Sequence, residues 1–189
     1  MQLKSETFDL AGLRSLFPML ISAQGPGALT ITATNSSGSW LLDGNFSADT
    51  CFINYLPLHI SASKVVIRSL ISGTLFKPEI IFTAKTNDIK LQTSTVTSSF
   101  WKGSYHQDTI SLDTGFARFE NGGFLQVKGD ITISSIDSLL SNKGPVLQFK
   151  LSKVPLNIIE QFLPGFKVKS GTVEGNLDLT LINGRFFSN

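Results

Sequence analysis

The sequence predicts an all-β fold with two or three short helices, and three observations lead to this prediction. Apolar residues make up 41% of the chain and charged residues only 16%, while Ser and Thr together supply about a fifth of it, a composition that suits strands and turns rather than helix bundles or disorder. Several stretches alternate apolar and polar residues with a period of two. Clusters of Gly, Asn and Ser separate these stretches at the spacing of about 8 to 12 residues that is typical of an antiparallel meander.

The alternation is clearest at residues 172–181, 125–133 and 147–152. In each stretch every second residue is Leu, Ile, Val, Phe or Gly and the residues between are polar. One face of the strand is therefore apolar, and the other face is polar and can contact water. The turn dipeptide Asn121-Gly122 precedes the second stretch. Weaker alternation marks residues 29–33, 65–67, 80–84, 89–91 and 110–112. We expect about ten strands.

Three short segments have apolar residues at helical spacing instead, and they predict helices of one or two turns at 10–17, 136–140 and 156–163. Pro155 could begin the last of these, since proline lacks only an N–H that the first turn leaves unpaired. Pro18 would end the first segment, and Pro164 with Gly165 would end the third.

An internal repeat relates the first and third of these segments. Aligning Pro18 with Pro164 superposes their apolar residues, and at the same offset of 146 residues Gly25 falls on Gly171 and the following alternating strand keeps its parity. The repeat spans about 9–38 and 155–184. The alternating strand that ends at Leu181 is followed by residues that resemble a turn leading onward, so we expect the whole chain, 1–189, to be a single β-rich segment of a longer, repeat-built protein.

The composition argues against several function classes. The formal net charge is +2 and the basic residues are scattered singly, so no basic stripe is available for a nucleic acid backbone. The only cysteine, Cys51, has no partner for a disulfide or a metal site and is expected to be a small buried apolar side chain. No apolar run approaches the about 18 residues of a membrane span, and the first twenty residues do not form a signal peptide.

Catalytic motifs are absent from the sequence: there is no HExxH, P-loop or GxSxG pattern. The two histidines, His59 and His106, are isolated, and the turn-associated aspartates suit backbone capping better than paired acid chemistry. We therefore expect no enzyme, no catalytic residue, no metal site and no cofactor.

The aromatic residues are mostly Phe, fifteen against two Trp and two Tyr. Phenylalanine has no hydrogen-bonding group, so it suits either an ordinary core or a surface for acyl chains. Both interpretations remain open at this point.

Four stretches resemble the AsmA-like family, and in particular its translocation and assembly module branch. SGTLFKPEI at 72–80 is similar to the recurring Gly-Thr-Leu-x-x-Pro unit of that family. LNIIEQFLP at 156–164, followed by SGTVEGNLDLT at 170–180, resembles its short helix, proline and glycine-rich strand. GGFLQVKGDIT at 122–132 is similar to another of its strands.

The resemblance implies an elongated, curved antiparallel or mixed sheet that forms an open trough with an apolar concave face and a polar convex face. It further implies part of a periplasm-spanning bridge, anchored in the inner membrane of a Gram-negative bacterium, that carries phospholipids to the outer membrane and supports outer-membrane biogenesis. Expected partners are phospholipid acyl chains and an outer-membrane β-barrel assembly protein of the TamA or BamA type. From the parity of the strands, the residues expected to line the groove are Leu29, Ile31, Ile80, Phe82, Leu125, Val127, Ile131, Ile133, Leu147, Phe149, Leu151, Val173, Leu177, Leu179 and Leu181.

The main alternative is a non-catalytic binding or scaffolding module that assists outer-membrane protein assembly. Its about ten strands would form a closed β-sandwich in which two apolar faces meet. Alternation alone cannot separate a covered apolar face from an open one. A carbohydrate-active enzyme on a β-solenoid would need acidic residues clustered on one strand face, and the sequence has none.

Overall fold

The computed structural model describes residues 2–9, 22–55, 60–91, 94–132, 146–158, 170–182 and 185–188. Within these ranges the chain forms one antiparallel sheet of thirteen strands. The strands are β1 Gln2–Asp9, β2 Ser22–Gln24, β3 Pro26–Ser36, β4 Ser39–Tyr55, β5 Ile60–Thr74, β6 Lys77–Thr86, β7 Asp88–Lys90, β8 Thr95–His106, β9 Thr109–Phe119, β10 Phe124–Thr132, β11 Val146–Pro155, β12 Thr172–Ile182 and β13 Arg185–Ser188.

The strand order is nearly the order of the sequence. The main path runs β1-β3-β4-β5-β6-β8-β9-β10-β11-β12-β13, and the short strands β2 and β7 pair beside it. Every pairing is antiparallel. The predicted all-β fold class is thus confirmed, as a meander in one sheet, and the described residues do not contain the two sheets of a sandwich.

Tight turns join the strands at one margin of the sheet, which we call the turn margin. Ser37 and Gly38 connect β3 to β4, and Gln107 and Asp108 connect β8 to β9, with positive φ at both residues of each pair. Such two-residue turns match the twist of the strands they connect. At the opposite margin Asn121 and Gly122 lie between β9 and β10 as the sequence predicts, and the Asn121 Oδ1 accepts a hydrogen bond from the Gly123 N–H (3.0 Å).

Bulges bend several strands near that opposite margin. Thr50 in β4, Lys64 in β5 and Lys153 in β11 have positive φ, and the strand register shifts beside each of them. Arg68 supports the first bulge, since it donates to the Ala48 carbonyl (3.2 Å) and to the Asp49 carboxylate (2.7 Å). A bulge increases the local bend of a strand, so these positions help to curve the sheet.

The predicted helices fall mostly outside the described residues. Segments 10–17 and 136–140 are outside them, and of segment 156–163 only the beginning is described, with a turn at Leu156 and helical backbone at Asn157 and Ile158. The sequence suggested that Pro155 begins this helix, and the structure shows that it does not. It is the last residue of β11 and pairs with Thr172, because its fixed φ is also tolerated at the end of a strand.

The strands β3 and β12 lie at corresponding positions of the proposed internal repeat. Their bounds, 26–36 and 172–182, are 146 residues apart. The glycine before each strand has nearly the same unusual backbone conformation, with φ of +127° at Gly25 and +136° at Gly171. The full repeat includes residues outside the described ranges and stays a prediction.

Candidate functional site: the apolar inner face of the sheet

One face of the sheet carries apolar side chains in continuous cross-strand rows. Residues directly opposite each other on paired strands point to the same side, so the register traces each row. The central row consists of Leu29, Phe46, Ser69, Phe82, Gly103, Leu112, Gly129, Leu147 and Leu179. We call the side that this row occupies the inner face and the other side the outer face.

The register places the predicted groove residues on this one face. In addition to the members of the central row, Ile31 and Ile80 share a row with Ile131, and Val127 shares one with Phe149 and Leu177. Leu125 and Leu151 oppose each other, and Val173 opposes Val154. Leu179 and Leu181 belong to β12 at inner positions by register, and Ile133 lies outside the described residues.

Charged residues are excluded from the inner rows. Among the described strand pairs, no Asp, Glu, Lys, Arg or His occupies an inner position. Arg68, Lys85 and Asp178 are examples of the ionisable residues on the outer face. The inner face is therefore a surface for uncharged groups, and apolar contact is the main interaction that it offers.

Burial differs between the two faces. Among the strand residues whose burial the structure describes, the eight buried apolar ones are all on the inner face, among them Ala48, Val65 and Val127, whereas Leu70 and Ile81 on the outer face are exposed. The inner face is thus the more buried of the two, as expected for the concave side of a curved sheet, and four of its buried residues, Val96, Ala117, Phe119 and Val154, lie in one cluster with Ile158. Phe149 and Leu177 remain only half-buried.

Aromatic side chains on the inner face pack over glycines of the neighbouring strand. The Trp101 indole covers Gly115, where an added Cβ would lie 2.6 Å from Trp101 Cζ3 and 2.5 Å from Val127 Cγ1. Phe82 packs against Gly103 in the same manner, at 3.0 Å from the added Cβ. The glycines let large rings lie against the backbone, and the Trp101 Nε1–H is satisfied by the Ser99 hydroxyl (3.1 Å).

The margin opposite the tight turns is where the inner face is covered. Ile158, in the helical turn after β11, packs with Val96, Phe119 and Val154 in a buried cluster. The contact is reinforced by a hydrogen bond between the side chains of Ser94 and Asn157 (3.3 Å). We call this the covered margin.

A second buried cluster lies on the inner side of β4 and β5. Ala48, Cys51 and Val65 form it, with Phe46 and Ile53 packed beside them. Cys51 is fully buried, in agreement with its expected role as a small apolar side chain. Burial raises the pKa of its thiol, and the negative charge of Asp49 raises it further.

Sequence reasoning missed part of this face. Inner residues of β4 and β8, including Phe46 and Trp101, were not among the predicted lining residues. Their neighbours at inner positions are Gly44, Ser99 and Gly103, and these small or polar residues conceal the alternation. Trp101 was detectable only from the period of two that it shares with Gly103 and Tyr105.

Two pairs of oppositely charged or chargeable side chains are described outside the inner face. Asp49 binds Arg68 at the first bulge, and the Glu79 Oε1 lies 3.2 Å from the His106 Nδ1 on the exposed outer face. The described part of the chain contains no group of three or more His, Cys, Asp or Glu side chains that could hold a metal ion.

A shallow depression of about 500 Å³ lies on the outer face over β9 to β12. Most side chains around it are polar, and they alternate in charge and type across the strands: Gln126, Lys128, Gln148, Lys150, Asn176 and Asp178. This lining is unsuited to acyl chains, so the two faces of the same strands offer opposite chemistry.

Comparisons with family models, curated proteins and solved structures found no match to the chain. Among the described residues, no helix has the length and apolar character needed to cross a membrane.

Proposed function

We propose that this chain is a segment of a periplasmic bridge of the AsmA-like, TamB type, which carries phospholipids between the inner and outer membranes and supports outer-membrane biogenesis. One observation carries the proposal. The inner face is apolar across nine consecutive paired strands and contains no charged residue among the described pairs.

The physical advantage of such a face follows from the cost of wetting an acyl chain. Exposure to water costs about 0.8 kcal/mol per CH₂, on the order of 12 kcal/mol for a sixteen-carbon chain. A concave apolar face keeps the chain out of water at every step, while its open side leaves the headgroup hydrated. Transfer along the face is then nearly isoenergetic, so a lipid can slide.

The residues of the inner face fit sliding better than tight binding at one place. Neighbouring rows repeat the same types of side chain, and half-buried positions such as Phe149 and Leu177 leave apolar surface for contact. In the rows that the described strand pairs form, no charged residue is present that would fix a headgroup. The proposal therefore assigns the role to the face as a whole and to no catalytic residue.

The periplasmic location, the inner-membrane anchor of the parent protein and a β-barrel assembly partner of the TamA or BamA type belong to the same proposal. They rest on the four stretches that resemble the AsmA-like family. The apolar face supports phospholipid as the cargo. It provides no argument for or against a particular protein partner.

Site-specific photocrosslinking tests the proposal. A photoreactive amino acid at Leu177, which is inner, is compared with one at Asp178, which is adjacent and outer; Phe149 and Lys150 form a second such pair. The purified protein is incubated with phospholipid vesicles, irradiated and analysed by mass spectrometry. We expect lipid adducts at Leu177 and Phe149 and few at their outer neighbours.

Equal capture at inner and outer positions, or capture at neither, would contradict the proposal. Absence of lipid adducts together with failure of the delipidated protein to take up phospholipid in native mass spectrometry would favour the scaffolding module instead.

A further inference from the structure

The ends of two neighbouring hairpins at the turn margin expose large apolar side chains, two at the start of β4 and two in the turn between β5 and β6. We call Trp40, Leu41, Leu75 and Phe76 the tip cluster. Phe76 is 90% exposed, Leu75 54%, Leu41 46% and Trp40 41%. Turns normally carry Gly, Asn, Asp, Ser or Pro, so the exposed Leu75 and Phe76 in the turn between β5 and β6 call for a function.

The four residues lie together at the ends of two adjacent hairpins, with Trp40 on the inner side of β4 and Leu41 on its outer side. Leu41 pairs with Thr74, the residue before the second turn, in the ladder between β4 and β5. The Leu75 N–H donates a hydrogen bond to the Trp40 carbonyl (3.0 Å), which ties the turn to the end of β4. The two hairpin ends thus lie side by side, and their apolar side chains project on both sides of the sheet.

We propose that the tip cluster enters the interfacial region of a phospholipid bilayer. Insertion of a turn into lipid requires that its backbone groups be satisfied within the protein. At this tip the Leu75 N–H is bonded to Trp40, and the Lys77 N–H donates to the Thr74 Oγ1 (3.1 Å).

The side chains also suit a bilayer interface. Tryptophan is favoured at the level of the headgroups, and Phe and Leu suit the acyl boundary beneath them. Lys77 follows the cluster directly and is exposed, so its ammonium can reach lipid phosphates while its stem stays along the apolar tip.

A stable protein partner fits these observations less well. A specific protein interface buries about 800 Å² on each side, usually on a broad surface. Four side chains at the ends of two adjacent hairpins, on both sides of a single sheet, make a narrow projection, which can penetrate a fluid interface but offers little area to a rigid partner.

The proposal is independent of lipid carriage by the inner face. The tip cluster could dock on a bilayer even if the inner face carried nothing, and the inner face could carry lipid without docking here.

The first test is binding to sedimentable vesicles of phosphatidylethanolamine and phosphatidylglycerol. Leu75→Ser with Phe76→Ser is expected to weaken vesicle binding about tenfold or more, because it removes two apolar side chains that enter the lipid. The matched control is Leu70→Ser with Ile81→Ser, which removes two apolar side chains that are also more than half exposed (61% and 53%) from the outer face. This control should bind as the unchanged protein does.

The second test uses tryptophan fluorescence. We expect vesicles to shift the emission of Trp40 to the blue and brominated acyl chains to quench it. In Trp40→Phe, which keeps the tip apolar, vesicle binding should persist and this signal should vanish. Trp101, on the inner face, remains in that variant and reports separately on lipid that enters the groove.

Four results would overturn the proposal, and the first three concern lipid binding. The unchanged protein does not bind the vesicles, the outer-face control loses as much binding as the tip variant, or brominated lipid leaves Trp40 unquenched while the protein is bound. A change of oligomeric state in the tip variant, with vesicle binding preserved, would assign the cluster to a protein contact and would equally overturn it.

Discussion

At the scale of single residues, Cys51 shows how backbone geometry decides a side chain's environment. The sequence indicates only that this thiol has no partner, which correctly predicts a small buried side chain. Its complete burial results from the bulge at Thr50, which returns Cys51 to the inner face three residues after Ala48. Thr50 has positive φ without being glycine, so no residue type marks the bulge in advance.

The buried thiol should make stability fall at alkaline pH. Because burial raises its pKa in the folded protein, its contribution to stability is complete below the unfolded thiol pKa of about 8.5 and is lost as the pH rises through the raised value. In urea unfolding titrations we expect the free energy of unfolding to decline more steeply above about pH 8.5 in the unchanged protein than in Cys51→Ala. The cavity left by alanine costs the same at each pH, so only the slopes are compared. Identical slopes would show that Cys51 does not contribute.

At the scale of strands, the sequence predicts best those elements whose inner positions are mostly large and apolar. β10 and β11 are of this kind, with Leu125, Val127 and Phe149 at inner positions. β4 and β8 were harder to find because their inner positions alternate aromatic residues with Gly, Ala or Ser. Those small residues follow from cross-strand packing, in which a large ring on one strand needs a glycine on the next, and a one-strand pattern does not contain that information.

The pairing of Trp101 with Gly115 allows a direct test of this packing. In Gly115→Ala the new methyl group would overlap Val127 and Trp101, and overpacking of this kind costs about 1–3 kcal/mol. We expect urea unfolding to show that loss. Val127→Ala makes room for the methyl group, so the double variant should lose less stability than the sum of the two single variants. Additive losses, or no loss in Gly115→Ala, would contradict the packing described here.

At the scale of the whole molecule, the sheet separates two chemistries across one layer. Strand parity predicted this separation, because a period of two leaves no other arrangement for the inner residues once the strands pair. Parity did not predict where the apolar residues on the outer face and in the turns lie. Leu70 and Ile81 oppose each other on the outer face, and Phe76 projects from a turn. Apolar surface outside the groove is therefore identified from the exposed fractions of the side chains in the structure, and strand parity does not reveal it.

These outer residues provide matched controls for the last prediction, that a charge on the inner face blocks lipid more than it disturbs folding. Leu177 is half-buried, so in Leu177→Asp the carboxylate keeps access to water and the chain folds, whereas an acyl chain that passes it must contact a charge. The control for Leu177→Asp is Leu70→Asp, which introduces the same charge on the outer face. A second inner variant is Ile131→Arg, and its outer-face control is Ile81→Arg.

Phospholipid uptake is measured by native mass spectrometry and folding by thermal unfolding followed with circular dichroism. We expect uptake to fall about tenfold in the inner variants, which is the effect of about 1.4 kcal/mol, and to be unchanged in the outer ones. If both inner and outer variants retain uptake, lipid does not travel along this face. If the inner variants lose uptake only in proportion to unfolded protein, the face serves packing alone, because a groove must lose its cargo while the strands that form it remain paired.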